Sequence, residues 1–150
     1  MASAAAAVFE LARPSPLPQS WPMIAQRRTK LYFDGGSRPN PGQLEAAVVL
    51  RGQVHRFDDL GQGSSCDAEW LALICALELA QSLGLGQIEL IGDARSVIAQ
   101  ANAALQTGQA APGHASTFLA AAAKRPPARI RWIKRSQNLA GIALAARHPR

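Results

Sequence analysis

Apolar positions fall into two rhythms from Thr29 onward, and the changes of rhythm mark out the elements. Residues 30–33 (KLYF), 46–52 (AAVVLRG) and 53–61 (QVHRFDDLG) are short runs rich in β-branched and aromatic side chains. Punctuated by turns near Pro39 and Gly52, they predict three strands joined as hairpins. Residues 64–84 (SSCDAEWLALICALELAQSLG) switch period: Trp70, Leu73, Ile74 and Leu77 form one helical stripe. Ser64 or Ser65 caps its start and Gly84 closes it. Residues 87–93 (QIELIGD) predict a fourth strand and 129–134 (RIRWIK) a fifth. Residues 94–105, 114–125 and 138–147 predict helices, the last with Asn138 at its start. The order βββαβααβα implies an α/β fold. Antiparallel hairpins and crossover strands form a five-stranded mixed sheet with helices packed on both faces.

Residues 1–28 break this pattern. An alanine run is followed by prolines at 14, 16, 18 and 22, which read as an extended linker. The expected division is a flexible Pro/Ala-rich extension over 1–28 and one domain over 29–150. No signal-peptide core stands out and no apolar run is long enough to span a membrane, so a cytoplasmic, membrane-free and monomeric protein is expected. Cys66 and Cys75 fall on one helix roughly 13 Å apart, too far to pair and poor as a metal site.

Charge adds a direction. The net charge is +6, and no acidic side chain follows Asp93. The last 27 residues carry eight basic ones, Lys124, Arg125, Arg129, Arg131, Lys134, Arg135, Arg147 and Arg150. Such a block reads either as a solvated face or as a surface for phosphates. His55, His114 and His148 lack acidic or cysteine partners at metal spacing and read as surface residues.

Three acids stand apart. Asp34 ends the first predicted strand, Asp93 ends the fourth, and Glu69 lies in the first turn of the helix that begins the crossover. Sites in α/β sheets form at the carboxyl ends of strands, so the three can meet at one rim. Each also has a plain structural reading: Asp34 as a turn former before Gly35, and Asp93 as a helix cap. Glu69 and Glu78 flank the apolar stripe symmetrically, and only the first-turn position favours Glu69. Clustered carboxylates are tolerated mainly when a cation neutralises them. An all-oxygen set suits Mg²⁺ or Mn²⁺, and a pair of such ions supports displacement at a phosphodiester.

Together the motifs resemble type 1 ribonuclease H. Asp34-Gly35-Gly36-Ser37-Arg38-Pro39-Asn40-Pro41-Gly42 is similar to that family's first-strand motif. The helix around Glu69, the strand ending at Asp93 and residues 129–134 match its later elements. The resemblance implies a ribonuclease H-like fold and an endonuclease that cuts the RNA strand of RNA–DNA hybrids with two Mg²⁺ or Mn²⁺ ions. Asp34, Glu69 and Asp93 would hold the ions. Asn40, Ser64 and Ser65 would touch the hybrid's 2′-hydroxyls and phosphates. Lys134 and Arg135 would grip its backbone, since a basic projection between the second and third helices is missing.

The match departs in one place. The family's fourth acid, four residues after an Asn, falls at Ile142 when counted from Asn138, and its product-release His falls at Ser136. Asn138 is the expected substitute, offering an amide oxygen to the second ion, although Asn is also a favoured helix cap. The alternative function is a non-catalytic or weakly catalytic nucleic-acid-binding module on the same fold.

Overall fold

Two hairpins and two crossovers build the sheet of the computed structural model, which describes residues 28–148. Strands β1 (Thr29–Arg38), β2 (Gly42–Leu50) and β3 (Gln53–Phe57) run antiparallel, and a short β4 (Gln62–Gly63) returns to pair with the start of β2. Helix α1 (Ser65–Ser82) crosses to β5 (Ile88–Gly92), which lies parallel to β1. Helices α2 (Arg95–Thr107) and α3 (His114–Lys124) lead to β6 (Arg129–Trp132), parallel to β5. A 3₁₀ turn at Arg135–Gln137 then opens into α4 (Leu139–Arg147). The strand order is β3-β2-β1-β5-β6, with β4 beside β2. The expected extension over 1–28 lies outside the described residues apart from Arg28.

The alternation read from the sequence sorts the sheet's two faces. Leu31 and Phe33 of β1, Val48 and Leu50 of β2, Leu90 of β5 and Ile130 of β6 all point to the side covered by α1, α2 and α3. Trp70, Leu73 and Leu77 of α1 close over them, and Phe118 of α3 meets Trp70 with ring centroids 6.2 Å apart. Helix α1 is buried between sheet and α3, which explains its apolar character on several sides. The opposite face carries a smaller cluster, Ala47, Val49, Ala140 and Leu144, with Tyr32 beside it. Among the described residues, only α4, nine residues long, covers it. Among the described residues no helix is long and apolar enough to cross a membrane.

The sheet differs from the sequence reading in two main ways. Asp34 does not end β1: the strand continues to Arg38, and Gly35 and Gly36 pair with Ala46 and Glu45. Glycines that look like a turn are accommodated because β2 starts early, at Gly42, and extends the ladder past the acid. The sixth strand, β4, was not expected. At two residues it is too short to carry any periodicity, and it is fixed by pairing Gly63 with Gly42.

Candidate active site

Helix α1 reaches the acid on β1 because Gly35 has no side chain. A Cβ at Gly35 would lie 2.1 Å from the Ala68 carbonyl oxygen, a distance no real atom pair adopts. Helix and strand backbones therefore touch one residue from Asp34 and one from Glu69, and the Gly35 N–H points to Glu69 Oε1 at 3.5 Å. On the far side β5 ends at Gly92, whose missing Cβ makes room for the Phe33 ring, 2.5 Å from where that atom would sit. Asp93 follows directly. One carboxylate oxygen each from Asp34, Glu69 and Asp93 lies within 4.8 Å of the others. The three acids singled out in the sequence thus meet.

Their electrostatics are those of a crowded group of like charges. Asp34 is 6% exposed, and burial pushes its pKa up to about 6 despite the hydrogen bond with Glu69. Burial, then the neighbouring Asp34 charge, drives Glu69 well above the ordinary carboxylate range. Glu69 Oε2 is buried with no hydrogen-bond partner. A buried carboxylate oxygen left in that condition is costly. The all-oxygen set, the mutual repulsion and this orphaned atom fit a hard divalent cation.

The cluster floors an open cleft of about 750 Å³ whose walls include Ser37, Arg38, Cys66, Arg135 and Gly141. Arg135 lines it, and its charge opposes the rise of the Asp34 pKa. Lys134 precedes Arg135, exposed at the N-cap of the 3₁₀ turn. Asn40 and Ser65 bind each other: Asn40 Nδ2 donates to Ser65 Oγ at 3.2 Å, and the Ser65 N–H donates to Asn40 Oδ1 at 3.1 Å. Ser64 is drawn into the helix cap. Its hydroxyl accepts from the Asp67 N–H and donates to Asp67 Oδ2. Ser37 Oγ lies 2.7 Å from the Pro39 carbonyl and 2.8 Å from that of Gly63, joining the hairpin turn to β4.

Asn138 is wholly buried and faces the acids with its nitrogen. Nδ2 donates to Asp93 Oδ2 at 2.9 Å and to the Phe33 carbonyl at 3.0 Å, while Oδ1 accepts from the Ala140 N–H at 3.1 Å. The oxygen that the sequence reading offered to a second ion is spent on capping α4. The counted position of a fourth acid also shifts. Ile142 is 52% exposed, whereas Gly141 looks onto the cluster, its would-be Cβ 3.4 Å from Asp34 Oδ2 and 3.7 Å from Asp93 Oδ2. The short 3₁₀ turn before α4 sets this rotation.

Several supporting residues escaped sequence reasoning. Trp132 Nε1 donates to the Asp93 carbonyl at 3.1 Å, and the Arg95 guanidinium stacks 3.6 Å from the Trp132 ring centroid. Two of the three histidines are not free surface groups. His114 Nε2 lies 2.9 Å from Asp67 Oδ1, tying α3 to the cap of α1, and His148 engages Glu45 on β2. Their partners are 47 and 103 residues away in sequence, so spacing could not reveal them.

Comparison with known proteins places this geometry among relatives. Residues 32–148 match the family model described as reverse transcriptase-like. Ribonuclease HI of Halobacterium salinarum is 39% identical over 85 residues, covering 53% of this chain and 43% of that protein, so the match spans less than half its length. The crystal structure of RNase H1 from Halobacterium salinarum NRC-1 superimposes with a TM-score of 0.62 at 31% identity, covering 79% of this chain and 94% of that one. LC11-RNase H1, isolated from compost by a metagenomic approach, gives a TM-score of 0.62 at 25% identity over 78% and 91% of the two chains. That protein has also been solved in complex with an RNA/DNA hybrid.

Proposed function

From the premise that this chain belongs to the type 1 ribonuclease H family, we propose that it cuts the RNA strand of RNA–DNA hybrids by divalent-metal-assisted phosphodiester hydrolysis. The observation that carries this reading is the convergence of Asp34, Glu69 and Asp93, from a strand, a helix and a strand end, with oxygens within 4.8 Å. Those three side chains would hold the ions, Mg²⁺ or Mn²⁺. When bound, a pair of such ions activates water and stabilises the leaving oxygen.

The rest of the machinery is this chain's own. Arg135, on the cleft wall, supplies a cation for the approaching phosphate. Asn40 and Ser65 hold each other and present one hydroxyl and one amide at the cleft's edge, the small polar groups that a 2′-hydroxyl needs. Ser64 serves this contact indirectly, through the cap that fixes Ser65. Asn138 orients the Asp93 carboxylate, and Trp132 holds its backbone. The lack of side chain at Gly141, which packs close to Asp34 and Asp93, leaves an opening in the ligand set on the α4 side of the cluster.

The same opening favours a second reading, a hybrid-binding module with little turnover, because α4 sends no carboxylate toward the acids. Incubating the purified chain with labelled RNA–DNA hybrid, duplex RNA and duplex DNA, in Mg²⁺ and then Mn²⁺, separates the two. Cutting confined to the RNA strand of the hybrid supports the nuclease. Tight hybrid binding without product in either metal supports the module.

A further inference from the structure

Among the described residues, the sheet face covered by α4 is left open at the end remote from the acids, and there it is lined by cations. Lys30 faces away from the core, between Thr29 and Leu31, and its partner on β5 is Glu89. Glu89 is in turn opposite Arg129 on β6. Arg51 follows Leu50, the partner of Leu31 on β2. The row Arg51, Lys30, Glu89, Arg129 therefore crosses four strands and is about 14 Å long at ordinary strand spacing. Arg28 and Arg131 both reach Glu89, Arg28 with its Nη1 3.9 Å from the carboxylate. Arg28 and Arg131 thus pair with the one acid, Lys30 and Arg129 flank it on the neighbouring strands, and Arg51 extends the row beyond Lys30. Beside the row lies a shallow groove of about 570 Å³, floored by Tyr32, Val49 and Leu139 and walled by Arg28, Lys30 and Arg51. It lies across the first turn of α4 from the acidic cleft, since Leu139 lines the groove while Gly141 and Ile142 line the cleft.

A row of that length spans about four nucleotides of one strand at duplex rise, and fewer where the strand is extended. The aromatic and aliphatic floor offers bases a surface, and the flanking cations meet the backbone, the combination found in single-strand grooves. We propose that this groove binds a single-stranded nucleic-acid extension that continues past the duplex held at Asp34. The proposal rests on the nucleic-acid reading of the site above. It gives the chain a second grip about 13 Å along β1 from the acids, taking four residues from Lys30 to Asp34.

The test uses the full chain and a triple variant, Lys30→Gln with Arg51→Asn and Arg129→Gln. All three side chains are exposed, and Asn suits the left-handed backbone at Arg51, where φ is +52°. Binding is measured with Ca²⁺ replacing Mg²⁺, using a fluorescent blunt RNA–DNA hybrid and the same hybrid carrying a single-stranded extension of about 10 nucleotides on either strand and either end. The variant is expected to bind an extended hybrid about tenfold more weakly and to lose about two units of salt slope. Its affinity for the blunt hybrid, and its cleavage of that hybrid in Mg²⁺, stay within about twofold of the parent. Equal losses on both substrates, or no loss on any extended one, overturn the proposal. So does a labelled polyglutamate that binds the parent as tightly as the extension and is lost equally in the variant, which would assign the groove to acidic protein. Cleavage of the blunt hybrid by the parent is scored separately, so a failed nuclease reading and a failed groove are distinguishable.

Discussion

Asn138 presents its amide nitrogen, not its oxygen, to Asp93, at 2.9 Å. Three hydrogen bonds fix that orientation, and each joins a different element: Phe33 on β1, Asp93 after β5 and Ala140 in α4. The first prediction follows from this. Asn138→Ala leaves a buried strand carbonyl and a helix N–H unsatisfied and should cost about 2–4 kcal/mol in urea titration. Asn138→Asp is the sharper variant. A metal ligand role through oxygen predicts an active Asp form. The observed orientation predicts that Asp loses the donor, repels Asp93, and gives a protein less stable at pH 7 than at pH 5.

Asp34 is buried against both Glu69 and Asp93, so removing its charge should separate stability from activity. Asp34→Asn is expected to melt a few degrees higher than the parent in EDTA, because a buried charge beside Glu69 is gone. Cleavage of a hybrid should fall about a thousandfold, the scale for losing a group that organises transition-state charge. A variant that keeps near-normal cutting would remove Asp34 from the reaction.

The raised carboxylates also dictate a pH dependence. Asp34 shifts from 3.8 to about 6 on folding, so between those values the folded chain binds more protons than the unfolded one. Stability then falls as pH rises through that window, and Glu69, raised further, extends the fall toward alkaline pH. Divalent cation should reverse it. Melting curves with and without Mg²⁺ are expected to diverge more at pH 8 than at pH 5, and ion at about 100 times its Kd adds about 2.7 kcal/mol. Curves that shift equally at both pH values would mean the ion binds elsewhere.

Gly35 is the contact that brings Glu69 to Asp34, and it tolerates no side chain. Gly35→Ala must push Ala68 and the first turns of α1 away from β1, because its Cβ would lie 2.4 Å from the Ala68 carbonyl carbon. A cost of about 3 kcal/mol is expected, at the upper end for overpacking. Activity should be lost even in the folded fraction, since Glu69 moves with the helix. Full activity at reduced stability would show that the spacing of these two acids is not critical.

How much could be read in advance depended on the range of each interaction. Asp34, Glu69 and Asp93 were legible because the crossover from β1 through the start of α1 to the end of β5 brings them to one rim, even though β1 runs on past Asp34 and Glu69 falls just beyond the first turn of α1. The faces of β1, β2 and β5 followed from alternation. What stayed hidden depends on rotation and on distant partners. A one-residue difference in phase puts Gly141, not Ile142, over the acids, and counting along a chain cannot resolve the phase set by the turn before α4. The orientation of the Asn138 amide depends on the Phe33 carbonyl, 105 residues earlier. His114 looked solitary because Asp67 approaches it only after α1 and α3 have packed.

The terminal helix has a consequence of its own. Nine residues of α4 hold the Asp93 carboxylate through Asn138 at one end and brace the hairpin sheet through His148 just beyond the other, yet they bury only Ala140 and Leu144. An element so lightly anchored frays before the main core yields. Warming would therefore disarm the acids while most of the molecule keeps its shape, so loss of cutting would be reversible on cooling and would precede aggregation.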